Sequence, residues 1–251
     1  MSRPALRSPA YSAWRQCMQQ LKSMRIVIAL ALLMLAGGLA VAGDVATLVN
    51  LGFSADSNYY MFGYYGMDAA TAKPYAEIYI VDTRSNSFVP NGVFRGSYAV
   101  APQPGLNPAG AFYRLFAEAL PTARRYNIDH LIQGRIIYLF MDTGERPDTI
   151  SFRDFRDNSQ WDVNLRETIE QRGDAVSSSF GINFSLTRTD GRVSTFNAGN
   201  PQFRRANVVD YAIQQIVLGP DNRTVVFIVD RAERVANQPV WRYMVETIRQ
   251  P

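Results

Sequence analysis

The chain has 251 residues, with 26 Lys and Arg against 22 Asp and Glu, one His and one Cys. Five of the cations and none of the acids precede position 43, which leaves 21 cations and 22 anions in residues 43–251, a net charge of −1. The positive charge of the whole chain belongs to its first part, and a strongly basic nucleic-acid-binding protein is disfavoured.

The first element along the chain is an export leader. Residues 26–36 are apolar without interruption, Lys22 and Arg25 precede them, and small residues ending at Ala42 follow. A positive segment, an apolar segment and a small-residue cleavage site, in that order, are typical of a secretory signal peptide. We therefore predict a signal peptide at 24–42 with cleavage after Ala42.

The leader divides the chain into three predicted parts. Residues 1–23 are polar and contain two prolines, unlike a signal sequence, so we expect Met24 to be the true start and this segment to be an extension before it. A retained membrane anchor is the alternative, but the apolar stretch 26–42 has 17 residues, whereas a comfortable span needs ~20. Residues 43–251 contain no cysteine and predict one β-rich exported domain, periplasmic or secreted, without disulfides.

Apolar residues recur with period two through most of the exported part, which predicts β-strands. Asn107 and Pro108 instead predict the start of an α-helix, which Pro121 ends or kinks. Asp190-Gly191 predicts a type I′ hairpin turn. The fold class is therefore mainly β (α+β), with antiparallel sheets and one main helix. The predicted strands are 44–53, 59–65, 76–81, 88–98, 136–141, 149–155, 161–169, 180–186, 193–197, 208–218, 224–229 and 240–248.

Two segments, 53–62 and 218–227, match each other without gaps. Each has an apolar residue, a turn with Asp56 or Asp221, and an apolar strand. The pattern resembles the blade hairpin of propellers similar to the periplasmic TolB protein, whose blades read roughly F-S-P-D-G-x-x-x-A-F. Neither copy has the glycine, and two copies cannot close a propeller, which needs about four blades or more. We therefore expect two blade-like β units, at the N- and C-terminal ends, pairing around a central sheet and the helix.

Over nearly the whole exported part, the sequence also resembles an uncharacterised bacterial family of predicted secreted proteins of unknown function. The resemblance implies secretion and a single domain, and it carries over no catalytic residue. The matching stretches are 49–66, 75–81, 178–183 and 205–213.

No catalytic constellation stands out in the sequence. His130 is the only histidine, no nucleophile elbow accompanies it, and we expect a surface or capping residue. Asp154, Asp157 and Asp162 lack the spacing of a calcium loop and predict a polar turn. No glycine-rich phosphate motif occurs. We therefore predict no catalytic, cofactor-binding or metal-binding residue, although two acids distant in sequence could meet in space.

Two kinds of residue are candidates for a binding surface. In the aromatic strand 59–65, alternation places two tyrosines on the face opposite to Tyr60, Phe62 and Tyr64. If that face is exposed, its tyrosines could contact a peptide or a glycan, as exposed aromatics often do. The alternative is a sheet that is buried on both faces. The exported part has one lysine and 20 arginines, and adjacent arginines suit an anionic ligand; pairing with the protein's own acids is the alternative. The candidates are Tyr59, Tyr65, Arg124, Arg125, Arg204 and Arg205.

The sequence favours an exported, non-enzymatic protein of the periplasm or envelope that acts as a binding or scaffold module through β surfaces or sheet edges. Its partner would be an envelope protein or a polyanionic or glycan component; no cofactor, nucleic acid or further membrane span is expected. Two alternatives stay open: an envelope hydrolase that uses a distant carboxylate pair, and an outer-membrane-associated structural component. The sequence names no ligand, partner or oligomeric state.

Overall fold

The structure, a computed structural model, describes residues 44–101, 103–141, 146–235 and 238–251. The predicted leader at 24–42 and the extension at 1–23 lie outside the described residues. Within the described ranges the chain forms three antiparallel sheets and the helix α1 (Ala109–Arg125). The predicted mainly β fold class with antiparallel sheets and one main helix is confirmed.

The strands follow the predicted segments closely, with two short additions, β5 and β11, that carry no alternation of their own. The bounds are β1 (Thr47–Ser54), β2 (Tyr59–Asp68), β3 (Lys73–Asp82), β4 (Ser87–Ser97), β5 (Ile128–Asp129), β6 (Arg135–Leu139), β7 (Thr149–Arg153), β8 (Gln160–Arg172), β9 (Ala175–Thr187), β10 (Val193–Ala198), β11 (Arg205–Ala206), β12 (Val208–Leu218), β13 (Thr224–Val235) and β14 (Gln238–Arg249).

The strands make three sheets, which we number in chain order. The first sheet has the order β4-β3-β2-β1-β5. The second has the order β10-β9-β8-β7, with β11 paired to β9. The third has the order β14-β13-β12-β6. Its outer strand β6 pairs with β12, although the strands of the second sheet lie between them in the sequence.

The third sheet is the middle layer of the molecule. Along β13, Phe227 and its alternate neighbours pack against the second sheet, whereas Val226 and Ile228 pack against the first. The far face of the first sheet is covered by α1 through Phe112 and Leu115. The layers therefore run helix, first sheet, third sheet, second sheet. The N- and C-terminal units, in the first and third sheets, pack directly on each other, and the expected central sheet, the second, lies on the outside instead. The reason is that β13 is apolar on both faces and so requires cover on both.

The two matching hairpins turn in the same way. Ser57 and Asn222 stand where the blade motif has glycine, and both adopt positive φ, 59° and 53°. In each turn this residue donates its N–H to the carbonyl three positions earlier, at 2.9 Å. Asp56 and Asp221 each accept the N–H two positions later, at 3.0 Å. The two turns also touch, because the N–H of Asp221 donates to Ser57 Oγ at 3.2 Å; the two units therefore pack directly together.

The helix begins as the sequence predicts and extends beyond the expected break. Asn107 Oδ1 accepts the N–H of Ala109 at 2.9 Å, which is the capping bond expected of this residue. The helix continues through Pro121 to Arg125. Proline removes one helical hydrogen bond, and the apolar residues on both sides of it, including the buried Ala119, pack the helix on the first sheet.

The turn at Asp190-Gly191 differs from the predicted type. A type I′ turn needs positive φ at both central residues, but only Gly191 has it, at 82°. Pairing of β9 with β10 begins at Thr187 and Val193, so the connection is a longer loop. The prediction of a hairpin here is confirmed, and the predicted turn type is wrong.

Candidate ligand-binding cleft

A cleft of about 340 Å³ lies along the edge of β14, between the β3–β4 turn and the segment before β11. Three consecutive residues of β14 line it. Because neighbouring side chains of a strand point to opposite faces, a cleft that touches three in a row must follow the strand's edge. The lining residues are Val81, Asn86, Ser87, Phe88, Asn200, Phe203, Arg205, Met244, Val245 and Glu246.

One wall is fixed by the β3–β4 turn. Asn86 adopts a φ of 51°, which asparagine tolerates better than most residues. Its Oδ1 accepts the N–H of Thr247 at 2.8 Å, and its Nδ2 donates to Glu246 Oε2. The turn of the first sheet is therefore clamped onto the end of β14.

The base of the cleft holds a buried ion pair. Arg205 Nη2 lies 3.4 Å from Glu246 Oε1, and the two side chains are only 13% and 5% exposed. The Arg205 guanidinium also lies 5.0 Å from the ring centre of Phe180 and 4.8 Å from that of Phe203. Burial raises the pKa of Glu246, whereas the hydrogen bond from Asn86 and the charge of Arg205 act against this shift. The pair is held by aromatic packing as well as by charge.

Two exposed aromatic side chains form the rim. Phe88 is 53% exposed and Phe203 is 57% exposed. Phe88 stacks on Tyr79 with ring centres 5.1 Å apart, which holds it at the mouth of the cleft. Apolar rims around a small polar centre are the usual composition of a ligand site.

The edge of β14 beside the cleft has unpaired backbone groups. Trp241 points its N–H and C=O away from β13, to Asp44 and Ala46, and Thr247 points its N–H to Asn86. The register with β13 is unbroken, so Tyr243 and Val245 also point outward. Neither has a backbone partner on that side within the described residues. The cleft therefore borders a short stretch of free strand edge.

The six candidate binding residues lie in three different places. Arg205 is in the cleft, and the adjacent Arg204 is exposed and paired with Glu170 at 2.6 Å. Arg124 and Arg125 are exposed in the last turn of α1, where positive charge favours the helix dipole.

The two tyrosines are half-buried on the face of the first sheet that the helix α1 covers. Tyr59 lies 4.8 Å from Tyr126 and Tyr65 lies 5.5 Å from Phe112, between ring centres. The opposite face of β2 packs on the third sheet. The strand is thus covered on both faces, as the alternative interpretation of this segment predicts, and the structure does not bring the tyrosines together with the arginines of the cleft.

Sequence reasoning missed most of the cleft. Phe203 directly precedes Arg204 and Arg205, and an aromatic residue next to two arginines is a local signal that could have added it to the predicted binding surface. Asn86 and Glu246 are 160 positions apart, and each looks like an ordinary surface residue in its own segment. The sequence had no local signal for them.

The chemistry-bearing residues singled out in the sequence have structural partners. His130 Nδ1 lies 2.7 Å from the carbonyl of Leu51, and its ring packs edge-on against Phe116. Asp154 accepts two hydrogen bonds from Arg135 in the polar turn after β7. Among the described residues, no group of three or more His, Cys, Asp or Glu could hold a metal ion.

A second ion pair, whose carboxylate is buried and whose arginine is partly exposed, gives a prediction for pH. Asp230 is buried, accepts from Arg146, and has one oxygen, Oδ1, without a partner in the described structure. Burial raises its pKa to about 6, although Arg146 opposes the shift. A raised carboxyl pKa means that the folded state holds the proton more tightly than the unfolded state, so stability falls as pH rises from about 4 to about 6.

We expect Asp230→Asn to remove this dependence, because the amide does not titrate. Variant and wild type should have similar free energies of unfolding at pH 4, and by pH 7 the variant should be more stable by about 3 kcal/mol relative to that baseline. Urea unfolding at pH 4, 5, 6 and 7 measures the difference. A difference that stays constant across this range would contradict the assignment.

Comparison with known proteins identifies the family and leaves the activity open. Residues 61–249 match the family described as predicted secreted protein (DUF2259), and the chain belongs to this family. A search of curated proteins found no match. Within the residues that the structure describes, no helix has the length and apolar character needed to cross a membrane.

Proposed function

We propose that this protein is an exported binding module that captures an extended peptide segment of an envelope partner at the free edge of β14. The observation that carries the proposal is the cleft itself, which is lined both by Val245 on the unpaired edge of β14 and by the exposed Phe88 and Phe203. An added strand gains affinity from backbone hydrogen bonds and specificity from side-chain pockets. Removal of the leader at 24–42, a location in the periplasm and a single domain over 43–251 belong to the same proposal.

The geometry of the edge limits how much peptide it can accept. Trp241 and Thr247 are already paired, so the free groups are those of Tyr243 and Val245. The peptide would pair with these two residues and place alternate side chains against Phe88 and Phe203. Such an edge is short and flanked by closed ends, which is how folded proteins limit unwanted strand pairing.

The carboxylates of the cleft favour binding over hydrolysis. Glycoside hydrolysis uses two carboxyl groups on either side of the substrate. Among the residues that line this cleft, Glu246 alone is acidic, and its two oxygens face Asn86 and Arg205. The alternative of an envelope hydrolase therefore has no carboxylate pair in this cleft and stays a prediction.

The free edge is tested by hydrogen exchange in the unliganded protein. We expect the amides of Tyr243 and Val245 to exchange at least about tenfold faster than those of Arg242 and Met244, whose backbone groups face β13. Mass spectrometry with residue-level fragmentation, or NMR, measures these rates. Equal protection at all four amides would contradict a free edge.

Binding is tested with a heptapeptide library displayed on phage. We expect enrichment of peptides that bind the wild type and lose at least about tenfold in affinity for Phe203→Ala and Val245→Pro, since proline removes the outward N–H. Phe155→Ala is the matched control, because Phe155 is 93% exposed and lies outside the cleft. No enrichment, or peptides that lose as much affinity for the control, would overturn the proposal.

A further inference from the structure

A second cleft, of about 280 Å³, lies where β6, the β7–β8 turn and the end of β9 meet the β12–β13 turn. It shares no lining residue with the cleft beside β14. Three of its nine lining side chains are arginines. The residues are Arg135, Arg156, Asp157, Trp161, Leu186, Arg188, Leu218, Asn222 and Gln250.

One arginine is fixed and its charge is balanced. Arg135 donates from Nη1 and Nη2 to the two oxygens of Asp154, both at 2.7 Å. These hydrogen bonds lower the pKa of Asp154, which stays ionised. The Nε–H of Arg135 is buried and has no acceptor within the described residues. The pair makes a rigid wall that still carries an unsatisfied donor.

The other two arginines are available to a ligand. Arg156 and Arg188 are exposed, and neither has an ion-pair partner among the residues that the structure describes. The lining carboxylate, Asp157, is held by the N–H and hydroxyl of Ser159, at 3.0 and 2.6 Å. With Asp154 balancing Arg135, the cleft keeps a net charge of +1, and Asn222 and Gln250 add amide groups to its lining.

We propose that this cleft binds the phosphate group of a phosphorylated ligand. A carboxylate offers two oxygens, and one guanidinium satisfies both, as Arg135 does for Asp154 here. Two further guanidiniums with no acceptor of their own call for an anion with more oxygens, and phosphate supplies three or four. The cleft volume of about 280 Å³ is many times the ~10–15 Å³ that one water molecule needs, so a phosphate fits and leaves space for an attached group.

The phosphate could belong to a soluble ester or to a lipid headgroup, and two measurements separate these sources. The first is calorimetric titration of the purified protein with inorganic phosphate and with glycerol 3-phosphate at low ionic strength. The second is flotation with vesicles of phosphatidylcholine containing phosphatidylglycerol, against vesicles of phosphatidylcholine alone. Saturable binding of a soluble anion without flotation assigns a soluble phosphate compound; flotation with the anionic vesicles, but not with vesicles of phosphatidylcholine alone, assigns a lipid.

The variant Arg156→Gln/Arg188→Gln tests the site. We expect it to weaken whichever interaction the wild type shows by at least tenfold, because both free guanidiniums are lost. Arg124→Gln/Arg125→Gln is the matched control, since it makes the same change of net charge at exposed arginines of α1. Arg156 and Arg188 are exposed outside the helix, so their double variant should keep the wild-type melting temperature, whereas the control loses only the small contribution of two cations at the end of α1.

Two results would overturn the proposal. One is a wild type that binds neither soluble phosphate nor anionic vesicles. The other is an equal loss of binding in the control, which would reduce the effect to net charge alone. Neither result bears on the peptide cleft, because the two clefts share no lining residue.

Discussion

Replacing Arg205 with methionine is expected to lower the free energy of unfolding by about 3–5 kcal/mol at pH 7. Methionine keeps a flexible apolar side chain next to Phe180 and Phe203, so the change removes the charge and its contacts with the two rings while it keeps most of the apolar volume. The loss leaves the Glu246 carboxylate buried with only Asn86 as a donor, and a buried charge without its counter-ion is far more costly than no charge at all. Urea unfolding measures the difference.

The companion variants separate the ion pair from simple loss of packing. Arg205→Met/Glu246→Gln should recover part of the stability, because no unpaired charge is left. Burial already raises the pKa of Glu246, and removal of Arg205 should raise it further. Protonation then neutralises the carboxyl, so the deficit of Arg205→Met should shrink as pH falls towards 4. A single variant as stable as the double at pH 7 would contradict a structural role for the pair.

Local patterns predicted the elements of this fold well. Alternation located the long strands, and Asn107 marked the start of the helix through a capping bond that the structure contains. The matching hairpins were visible because a tight acidic turn is encoded in a few adjacent residues. Ser57 and Asn222 take up the positive φ that glycine would adopt, so the motif survives without its glycine.

Contacts between distant segments could not be predicted in this way. The layer order depends on which apolar face meets which, and β13 is apolar on both faces, so its pattern does not say which sheet lies on either side. The same holds for the cleft. Asn86 and Arg205 come from different sheets, and they meet at Glu246 because the β3–β4 turn wraps around β14. The sequence therefore located one member of the cleft, Arg205, and the fold supplied the others.

Phe227→Ala is expected to cost about 3–5 kcal/mol, the usual range for truncating a buried aromatic side chain. Phe227 is fully buried between the third and second sheets, and its ring centre lies 5.2 Å from that of Phe184 in β9. The surrounding side chains belong to two sheets that are each held by a hydrogen-bonded ladder, so they cannot collapse freely into the space. Much of the cavity should persist and add to the lost transfer energy.

The same substitution at Phe155 is the control for this layer contact. Phe155 is exposed in the β7–β8 turn, and we expect Phe155→Ala to change the free energy of unfolding by less than about 0.5 kcal/mol. If the second sheet did not cover the third, Phe227 would lie at a surface and the two substitutions would have similar small costs. Equal effects in urea unfolding would therefore refute the layer order, and with it the position of Arg205 over Glu246, because Phe227 and Glu246 are paired across β13 and β14.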